Sequence, residues 1–481
     1  MRLSALAGSS PEGADPEITG LTADSRAVKP GFLFAALAGA KADGAAYVAD
    51  ALARGAVAVL GGDGIAGVPA GVGLVRHENP RRCLALMAAR FHPRQPATIA
   101  AVTGTNGKTS VASFTRQLWA ALGYRAASFG TIGIVSPSGT QPLGHTTPDP
   151  VEIHRVLDAL AGEGVTHAAF ESSSHGLAQH RVDGVRIRAA GFTNLTRDHL
   201  DYHGTMEAYR AAKLRLFDEV VAGDGCAVIN ADGAEADVFI AAARRRGLRL
   251  IRSGARGVEL PLLSRRPEGD GQVLVVAFDG HRHEVMLPLA GDFQASNALV
   301  AAGLVLADGA PADQVFTALG QLAGAAGRLE KVGVSPAGVP VYVDYAHTPD
   351  ALETVLKALR PHTRGRLWVV FGCGGDRDAG KRPLMGAAAQ ALADRTIVTD
   401  DNPRTEDAAR IRAAVLAGVP GAVEIGDRAQ AIAAAIEDAR AGDVIVVAGK
   451  GHEAGQIVGR EVLPFNDADE VRAVIARART A

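Results

Sequence analysis

Short apolar runs alternate with helix-like stretches through the middle of the chain. The apolar runs there are TIAAVTG (98–104), THAAFES (166–172), AAGFTNL (189–195) and CAVIN (226–230). Helix-like segments such as KTSVASFTRQLWAALG (108–123) fall between them, and this alternation predicts a mostly parallel, doubly wound sheet. From about 272 to 289, two alternating runs follow each other without a helix, which predicts a small antiparallel sheet.

The same pattern predicts one domain before this region and another after it. Residues 1–95 carry short strand-like runs and a helix-like stretch, and two prolines mark their end. Residues 328–481 carry the further runs VPVYVDY (339–345), GRLWVVFG (365–372), RTIVTD (395–400) and DVIVVAG (443–449). We therefore expect an α/β protein of three domains. They are a smaller N-terminal α/β domain, a central doubly wound domain (96–327) with the antiparallel addition, and a C-terminal Rossmann-like domain.

Composition narrows the class of protein. A chain of 481 residues is too long for one core, and 47% hydrophobic with 21% charged residues is globular, not disordered. A net charge of -2 gives no basic excess for nucleic acid or an anionic membrane. The cysteines Cys83, Cys226 and Cys373 are scattered, which argues against a disulfide framework and for a reduced compartment. With no signal peptide or long apolar run, we expect a cytoplasmic monomer that does not insert into a membrane.

The sharpest local signal is the turn TGTNGKT (103–109), which lies between a predicted strand and a predicted helix. Backbone N–H groups of such a turn cradle phosphate, Lys108 would meet the terminal phosphates, and the Thr109 hydroxyl would reach a magnesium ion. Val102 replaces the first glycine of the standard eight-residue P-loop, so this is a shorter form. A plain strand–helix turn is the alternative, but strand, turn, Lys-Thr pair and helix in order favour nucleotide binding. The residues concerned are Gly104, Thr105, Asn106, Gly107, Lys108 and Thr109.

Two more polar segments follow strands of the central region, ESSSHG (171–176) and NLTRDHLDYH (194–203). Ligands of open α/β sheets lie at the carboxyl ends of strands, so Glu171 is well placed for a metal. A Ser-rich turn and a hydrophilic loop are the alternatives. The helix YRAAKLRLF (209–217) reads as amphipathic, and spacing alone predicts that Lys213 is a surface lysine.

Four polar segments follow strands of the last domain. They are DYAHTPD (344–350), GCGGDRD (372–378), DDNPR (400–404) and GKGHE (449–453). In the first, Thr348 is suited to cap a helix that starts with Pro349, which leaves Asp344 and His347 for a ligand. The other three should converge on one crevice, where arginines are suited to bidentate carboxylate binding. The alternative is that these segments only cap helices and form surface ion pairs. That would explain each segment alone, but it explains all three together poorly.

These motifs, in this order, resemble the Mur ligase family. The segments that carry the resemblance are TGTNGKT, ESSSHGL, NLTRDHLDYHG, AAKLRLF, DYAHTPDALE, FGCGGDRD, DDNPRTE and AGKGHE. The resemblance covers essentially the whole chain, although in residues 1–95 only TADSR (22–26) resembles the family's nucleotide-sugar-binding turn. It implies a UDP-sugar-binding domain at 1–95, a P-loop ATP-binding ligase domain at 96–327 and an amino-acid-binding domain at 328–481.

The resemblance also implies roles for individual residues. A UDP-N-acetylmuramoyl dipeptide would be bound by Ser25, Thr146, Thr147, Ser173, Gln179 and Arg181. Magnesium would be held by Thr109, Glu171, His199 and Lys213, the last as a carbamate. Besides the glycine turn, ATP would contact Asn297, Arg328, Asp344 and His347. The incoming amino acid would meet Arg377, Asp401, Asn402, Pro403, Arg404, Gly449 and Glu453. Lys108, Lys213 and His199 would be the catalytic residues, and the chain departs from the family pattern at His145, where Asn is expected.

The activity that the resemblance implies is an ATP- and Mg²⁺-dependent ligation. Meso-diaminopimelate would be added to UDP-N-acetylmuramoyl-L-alanyl-D-glutamate through an acyl phosphate, without any nucleic acid partner. Alternatives within the same chemistry are an L-lysine-adding ligase and a folylpolyglutamate synthase. A P-loop switch or motor ATPase and a non-catalytic nucleotide-binding protein are alternatives from other classes. Phosphate release that strictly requires an amino acid and a UDP-peptide would exclude the switch or motor ATPase, and the number of polar strand exits argues against a non-catalytic protein.

Overall fold

A computed structural model describes residues 1–39 and 43–480 of the chain. The first sheet uses five short strands, β1 (Glu12–Gly13), β2 (Gly20–Thr22), β3 (Phe32–Ala35), β4 (Ala58–Gly61) and β5 (Gly73–Arg76). Its helices are α1 (Leu3–Ala7), α2 (Val48–Ala53) and α3 (Pro80–Phe91). The strand order is β1-β5-β4-β3-β2, and all neighbours are parallel except β1 with β5. The predicted small N-terminal α/β fold is therefore present.

The middle of the chain contains a parallel sheet followed by antiparallel strands. The strands are β6 (Thr98–Thr103), β7 (Ala126–Gly130), β8 (Gly133–Ser136), β9 (Gly139–Gln141), β10 (His167–Glu171), β11 (Ala189–Phe192), β12 (Cys226–Asn230), β13 (Arg249–Gly254), β14 (Leu260–Glu268), β15 (Gly271–Phe278) and β16 (His281–Leu287). The helices are α4 (Lys108–Ala121), α5 (Pro150–Gly162), α6 (Ser174–Ala178), α7 (Leu200–His203), α8 (Met206–Arg215), α9 (Ala236–Arg245), α10 (Asp292–Ala307) and α11 (Ala312–Leu319). The order β12-β11-β6-β10-β7 is parallel throughout, and β14, β15 and β16 are antiparallel, as predicted.

The last part of the chain forms a second doubly wound sheet and a hairpin. The strands are β17 (Glu330–Val334), β18 (Pro340–Asp344), β19 (Leu367–Phe371), β20 (Arg395–Val398), β21 (Val423–Glu424), β22 (Val444–Ala448), β23 (Gly455–Val458) and β24 (Glu461–Pro464). The helices are α12 (Pro349–Leu359), α13 (Lys381–Leu392), α14 (Ala408–Leu416), α15 (Arg428–Asp438) and α16 (Asp467–Thr480). The order is β17-β18-β22-β19-β20-β21, with only β17 antiparallel to its neighbour, while β23 and β24 pair with each other. The predicted α/β class is confirmed.

Contacts divide the described chain into two compact units. The first contains Met1–Lys108, Gly123–Ile229 and Gly233–Ile251, and the second contains Thr109–Leu122, Asn230–Asp232 and the chain from Arg252 onward. These two units do not coincide with the three predicted functional domains, so the boundaries of those domains stay a prediction. In the described part of the chain, no helix combines the length and the apolar character needed to cross a membrane.

The sheet that contains β18 is covered on both faces, as parallel sheets require. In β18, Val341 and Val343 face a core that contains Ile432 and Val471. Tyr342, which lies between the two valines, faces the opposite core beside Leu356. This is the two-residue period of a strand with two buried faces, and it explains why the sheet strands are continuous apolar runs in the sequence.

A fully buried ion pair joins the starts of two helices in the second unit. The side chains of Arg428, at the start of α15, and Asp467, at the start of α16, are both 0% exposed. Arg428 donates from Nε and Nη2 to the two carboxylate oxygens, each over 2.7 Å. Its Nη2 also donates to the carbonyl of Ala448, at the end of β22, over 2.9 Å. The pair therefore fixes both helices to the edge of the sheet where β22 ends.

We predict that Arg428→Met lowers the free energy of unfolding by about 3–5 kcal/mol, because it leaves the Asp467 carboxylate buried and uncompensated. Urea unfolding followed by the fluorescence of Trp368 in a Trp119→Phe background measures this, since the chain has two tryptophans. The control is Glu353→Gln, which breaks an exposed i,i+4 pair with Lys357 and should cost less than about 0.5 kcal/mol. Equal effects of both variants would contradict the prediction.

Candidate functional site

The glycine turn between β6 and α4 packs tightly on the loop that follows β11. Gly104 has φ +150° and Gly107 has φ +86°, and a Cβ at Gly104 would lie 1.9 Å from Thr193 Oγ1. The backbone N–H of Asn106 donates to Asn194 Oδ1 over 3.0 Å. Because β6 lies between β10 and β11, the loops after those two strands flank the turn. The turn thus leads directly into the start of α4, and the positive end of a helix is suited to a phosphate.

Two lysines converge on the carbonyl of Gly104. Lys108 Nζ donates to it over 2.9 Å and also to the carbonyl of Thr105 over 2.7 Å, so Lys108 is held by its own turn and is only partly exposed. Lys213 Nζ donates to the same Gly104 carbonyl over 2.7 Å and lies 4.6 Å from the centre of the Tyr209 ring. Both lysines of the prediction therefore lie at the glycine turn.

Burial sets the charge state of Lys213, which is 1% exposed. Burial, followed by the neighbouring charge of Lys108, holds the pKa of the Lys213 amine well below its ordinary value. The surface position predicted from spacing is wrong. Lys213 shares one helix face with the buried residues Tyr209, Leu216 and Phe217, so a lysine within an apolar i, i+4, i+7 stripe was the signal that could have placed it inside.

Glu171 ends β10 and is 2% exposed. Thr131 holds its carboxylate with the backbone N–H, over 2.7 Å to Oε1, and with the hydroxyl, over 3.2 Å to Oε2. The hydroxyl of Thr131 also lies 3.0 Å from that of Thr146. The Ser-rich turn with a solvated Glu171 is therefore not what the chain forms.

Hydrogen bonds connect five of the six residues predicted to bind the UDP-linked substrate. Thr147 Oγ1 donates to the Glu171 carbonyl over 2.8 Å and accepts from the Ser173 N–H over 2.9 Å. Arg181 donates to the Thr147 carbonyl over 2.6 Å and to Gln179 Oε1 over 2.8 Å. Thr146 joins the same network through Thr131, whereas Ser25 lies apart, in the turn Ser25–Ala27 of the first sheet.

His199 lies in a cluster of aromatic rings beside this network. It has φ +52°, and its ring centre is 4.9 Å from that of His175. The His175 ring also contacts Tyr202, at 4.1 Å between centres, and Gln179 donates to the Tyr202 hydroxyl over 2.9 Å. Burial, then the charges of His199 and His203, lower the pKa of His175, which favours the neutral form of the His175 imidazole.

Magnesium is bound mostly by oxygen ligands. Among the described residues, no three His, Cys, Asp or Glu side chains are grouped as a metal site. Glu171 offers a carboxylate, and Thr109, the second residue of α4, offers a hydroxyl. Lys213 offers an oxygen only as a carbamate. By the chemistry of their donor atoms alone, the residues predicted to hold magnesium suit that ion once Lys213 carries a carbamate, with His199 as a nitrogen donor.

In the second unit, the residues predicted to contact ATP lie along one chain of contacts. Asn297 Nδ2 donates to Gln294 Oε1 over 3.5 Å, and Gln294 donates to the Arg328 carbonyl over 3.0 Å. The Arg328 guanidinium lies 4.6 Å from the centre of the Tyr345 ring. His347 Nδ1 lies 2.9 Å from the Tyr345 carbonyl. The three segments that carry these residues thus meet in one region of the second unit.

Asp344 ends β18 in the same region. Its carboxylate accepts from the backbone N–H groups of Leu329, over 2.6 Å, and Ala346, over 2.7 Å. Burial raises the pKa of Asp344 to about 6. Downstream, Thr348 caps α12 and Pro349 starts it, as predicted.

The predicted convergence of the exits of β19, β20 and β22 is confirmed. Arg404 Nη1 donates to the Gly375 carbonyl over 2.9 Å, which joins the first two exits. Asn402 Nδ2 donates to Glu453 Oε2 over 2.9 Å, which joins the third. Gly449 donates its N–H to the Asp344 carbonyl over 3.1 Å. These bonds enclose one polar crevice at the carboxyl ends of the strands.

Arg404 is held so that one edge of its guanidinium stays available. It has φ +52°, and a Cβ at Gly374 would lie 2.8 Å from its Nη1. The backbone of Pro403 packs closely against Gly375, since a Cβ at Gly375 would lie 1.9 Å from the Pro403 carbonyl oxygen. Within the part of the chain that the structure describes, Nε and Nη2 of Arg404 have no hydrogen-bond acceptor. Burial raises the pKa of the nearby Asp401.

Arg377 is exposed, and its Nη1 lies 3.5 Å from the carbonyl of its neighbour Asp376. Among the described residues, no side-chain hydrogen bond joins Arg377 to the crevice.

The sequence did not reveal the roles of Thr131, which holds Glu171, and Lys450, which is fully buried in the crevice. Nothing local marks Thr131. Lys450 lies inside the GKGHE segment, so its place between two predicted contacts was a usable signal.

Comparison with known proteins agrees with this geometry. Three family profiles match in order: Mur ligase family, catalytic domain (17–92), Mur ligase middle domain (102–305), and Mur ligase, glutamate ligase domain (327–451). A UDP-N-acetylmuramoyl-L-alanyl-D-glutamate–2,6-diaminopimelate ligase of Bradyrhizobium diazoefficiens is 57% identical over 464 residues, or 96% of this chain and 95% of that protein. A protein of the same name from Caulobacter vibrioides is 56% identical over 467 residues, or 96% of each chain.

Solved structures give the same result. A ligase of that name superposes with a TM-score of 0.75 at 35% identity, covering 100% of this chain and 99% of its own. A folylpolyglutamate synthase of Mycobacterium tuberculosis, complexed with ADP and AMPPCP, has a TM-score of 0.61 at 23% identity over 77% of this chain and 92% of its own, a likeness of fold alone. The chain therefore belongs to the Mur ligase family of ATP-dependent ligases, which form amide bonds.

Proposed function

We propose that this chain adds meso-diaminopimelate to UDP-N-acetylmuramoyl-L-alanyl-D-glutamate at the expense of ATP, with Mg²⁺, in the synthesis of cell-wall precursors. The observation that carries the proposal is the Arg404 guanidinium, whose one edge is fixed by the Gly375 carbonyl while the other faces no acceptor. Such a planar fork suits a second carboxylate, which diaminopimelate has and L-lysine lacks. The names of the similar proteins from Bradyrhizobium and Caulobacter support the same substrate.

We assign the three parts of the chain to the three reactants. Residues 1–95 would bind the uridine nucleotide, 96–327 would bind ATP and carry out the phosphoryl transfer, and 328–481 would bind the amino acid. The matched profiles, at 17–92, 102–305 and 327–451, support these bounds. Both ATP and a nucleotide-linked sugar are cytoplasmic metabolites, and the buried cysteines are unpaired, so we place the protein in the cytoplasm. We also propose that it is a monomer.

The chemistry follows from the weakness of a carboxylate as an acylating agent. An oxygen of the glutamate γ-carboxylate attacks the γ-phosphorus of ATP, a new P–O bond forms, and ADP leaves. The amine of the amino acid, after loss of a proton, attacks the acyl carbon. The C–N bond forms and phosphate leaves with the electrons of the C–O bond. Charge neutralisation and positioning are what the protein must supply for such transfers.

The described residues divide this work. Lys108 and the N–H groups of the glycine turn would face the phosphates, and the network around Thr147 and Arg181 would hold the UDP-dipeptide. Magnesium, held by Thr109, Glu171, His199 and carbamylated Lys213, would neutralise phosphate charge when bound. In the second unit, Asn297, Arg328, Asp344 and His347 would contact the nucleotide, and Arg377, Asp401, Asn402, Pro403, Arg404, Gly449 and Glu453 would hold the amino acid.

We predict that Lys108→Ala lowers phosphate release by about a thousandfold, because the loss of one preorganised charge at a developing anion has an effect of this order. Its side chain donates to two carbonyls of its own turn and is partly exposed, so circular dichroism should stay unchanged. Lys357→Ala, on the exposed face of α12, is the matched control and should turn over normally. Near-normal turnover of a folded Lys108→Ala variant would contradict the assignment of the glycine turn to phosphate binding.

We propose that Lys213 is carbamylated, because a neutral buried amine can attack carbon dioxide, form a C–N bond and release a proton. The lowered pKa of Lys213 provides the neutral amine, and the product is an anion beside Lys108. Lys213→Ala should lose activity by about a hundredfold or more, and short carboxylic acids should restore part of it. Lys213→Arg, which fills the site with a side chain that forms no carbamate, is the control and should not respond to the acids.

Labelling provides a direct test of the modification. With ¹³C-bicarbonate, the wild-type protein should show a carbamate carbon resonance that is absent from Lys213→Ala. A bare amine at Lys213 in a structure with ATP and magnesium bound would contradict the carbamate.

The substrate assignment is tested by phosphate release with the UDP-dipeptide and a panel of amino acids. An unpaired buried polar group costs on the order of 1–3 kcal/mol, and more when charged. Meso-diaminopimelate should therefore exceed L-lysine by at least about a hundredfold in kcat/KM, since each 1.36 kcal/mol is about tenfold. Release without any amino acid would indicate a switch or motor ATPase, and equal use of L-lysine would refute the role of Arg404.

Arg404→Ala should lose most of the preference for the diacid while the KM for ATP changes by less than about twofold. Its control is Arg472→Ala, on α16, whose side chain pairs with Glu330 and Asp469. That variant should keep both the preference and the turnover.

A further inference from the structure

Lys450 is a fully buried lysine whose three N–H donors all have acceptors. It lies two residues after the end of β22 and is 0% exposed. Its Nζ donates to Asn402 Oδ1 over 3.0 Å, to Glu453 Oε2 over 3.1 Å and to the Gly455 carbonyl over 2.7 Å. An ammonium group has three protons, so its bonding capacity is used completely. Lys450 therefore has no proton left for a substrate and acts on its three partners only.

The first consequence concerns the amide of Asn402. Its Oδ1 accepts from Lys450 and from the N–H of Ile457, the latter over 2.9 Å. Two donors on one side force the oxygen to that side, so Nδ2 points to Glu453 Oε2, over 2.9 Å. Glu453 then receives two donors on Oε2, while its Oε1 has no donor within the described chain. Lys450 thus sets both the orientation of the Asn402 amide and the direction of the free carboxylate oxygen.

The second consequence concerns the loop that presents Arg404. This loop is hydrogen-bonded to the hairpin of β23 and β24, since the Arg404 N–H donates to the Ile457 carbonyl over 3.0 Å and the Gly459 N–H donates to the Arg404 carbonyl over 2.7 Å. Gln456 Nε2 donates to the Asp401 carbonyl over 2.8 Å. Lys450 holds both the loop, through Asn402, and the start of the hairpin, through Gly455. One ammonium group therefore keeps the loop and the hairpin in register.

We propose that Lys450 is a positioning residue that sets the selectivity for the incoming amino acid, by fixing the Glu453 carboxylate, the Asn402 amide and, through Asn402, the loop that presents Arg404. This inference rests on the proposed function, in that Arg404 and Glu453 are taken to meet the amino acid. Without the ammonium group, the Gly455 carbonyl loses a donor and the Asn402 amide is free to turn over. A shift of about 1 Å in such groups is enough to cost about a hundredfold in rate.

The test is Lys450→Met in the full chain, because methionine keeps much of the volume and removes the donors. The KM for meso-diaminopimelate should rise by at least about thirtyfold, and its preference over L-lysine should fall by at least about tenfold. The KM values for ATP and for the UDP-dipeptide should stay within about twofold, because those ligands are assigned to other residues. Lys450→Gln, which keeps two N–H donors, should give an intermediate KM.

The matched control is Ile436→Ala, because Ile436 is buried in the core on one face of the same sheet and does not contact the loop. It should lower the melting temperature at least as much as Lys450→Met but leave the KM for the amino acid unchanged. If both variants lose stability and neither changes that KM, Lys450 is structural only and the proposal is wrong. If Lys450→Met does not fold, Lys450→Gln decides by the same KM criterion.

Failure of the proposed function would look different. If the wild-type protein used another amino acid, the KM for that amino acid should still respond to Lys450→Met, because Asn402 and Glu453 would position it as well. An unchanged KM for whichever amino acid the wild-type protein uses would overturn the role of Lys450 alone.

Discussion

Parallel pairing makes neighbouring strands end at one edge of a sheet, and the arrangement of polar groups in this protein depends on that constraint. In the first unit, β6 lies between β10 and β11, so the glycine turn lies between the loops that carry Glu171 and Asn194. In the second unit, β18, β22, β19 and β20 are neighbours, and their exits carry Asp344, Lys450, Gly375 and Asn402 in turn. Segments far apart in the chain meet because their strands end together.

Among the buried basic side chains that the structure describes, Arg428, Lys450 and Lys213 are accommodated in three different ways. Arg428 has a bidentate carboxylate, and Lys450 has three acceptors for three protons, so both charges are compensated locally. Lys213 has the Gly104 carbonyl and lies near a second cation, Lys108. Burying an uncompensated charge is costly, so the amine loses its proton instead. This imbalance gives Lys213 the chemistry that Lys450 and Arg428 lack.

Lys108 and Arg404, which the proposed mechanism places against phosphate and the amino acid, also differ in what holds them. Lys108 is bonded to carbonyls of its own turn, so the phosphate-facing end of the site is organised locally. The Arg404 side chain is held by the carbonyl of Gly375, and the absence of side chains at Gly374 and Gly375 allows this close approach. Its backbone is hydrogen-bonded to the hairpin of β23 and β24. Recognition of the amino acid therefore depends on the packing of several segments, whereas recognition of phosphate depends on one.

The sequence by itself determined the elements and the chemistry of each strand exit. Apolar runs predicted the strands of both doubly wound sheets, Thr348 and Pro349 predicted the start of α12, and the glycine turn predicted a phosphate site. These features depend on residues close together in the chain, so their pattern is visible without a structure. The motifs also carried the family resemblance, which the comparisons confirm.

Only the tertiary structure decided how these residues are held. Thr131 holds Glu171 from 40 positions away, and Asn402 meets Glu453 from 51 positions away. The burial of Lys213 beside the glycine turn depends on the packing of α8, which the spacing of that helix alone did not reveal. Hydrogen-bond partners and burial are properties of groups that the fold brings together, so a local pattern specifies the kind of side chain at a strand exit but not its partner or its charge state.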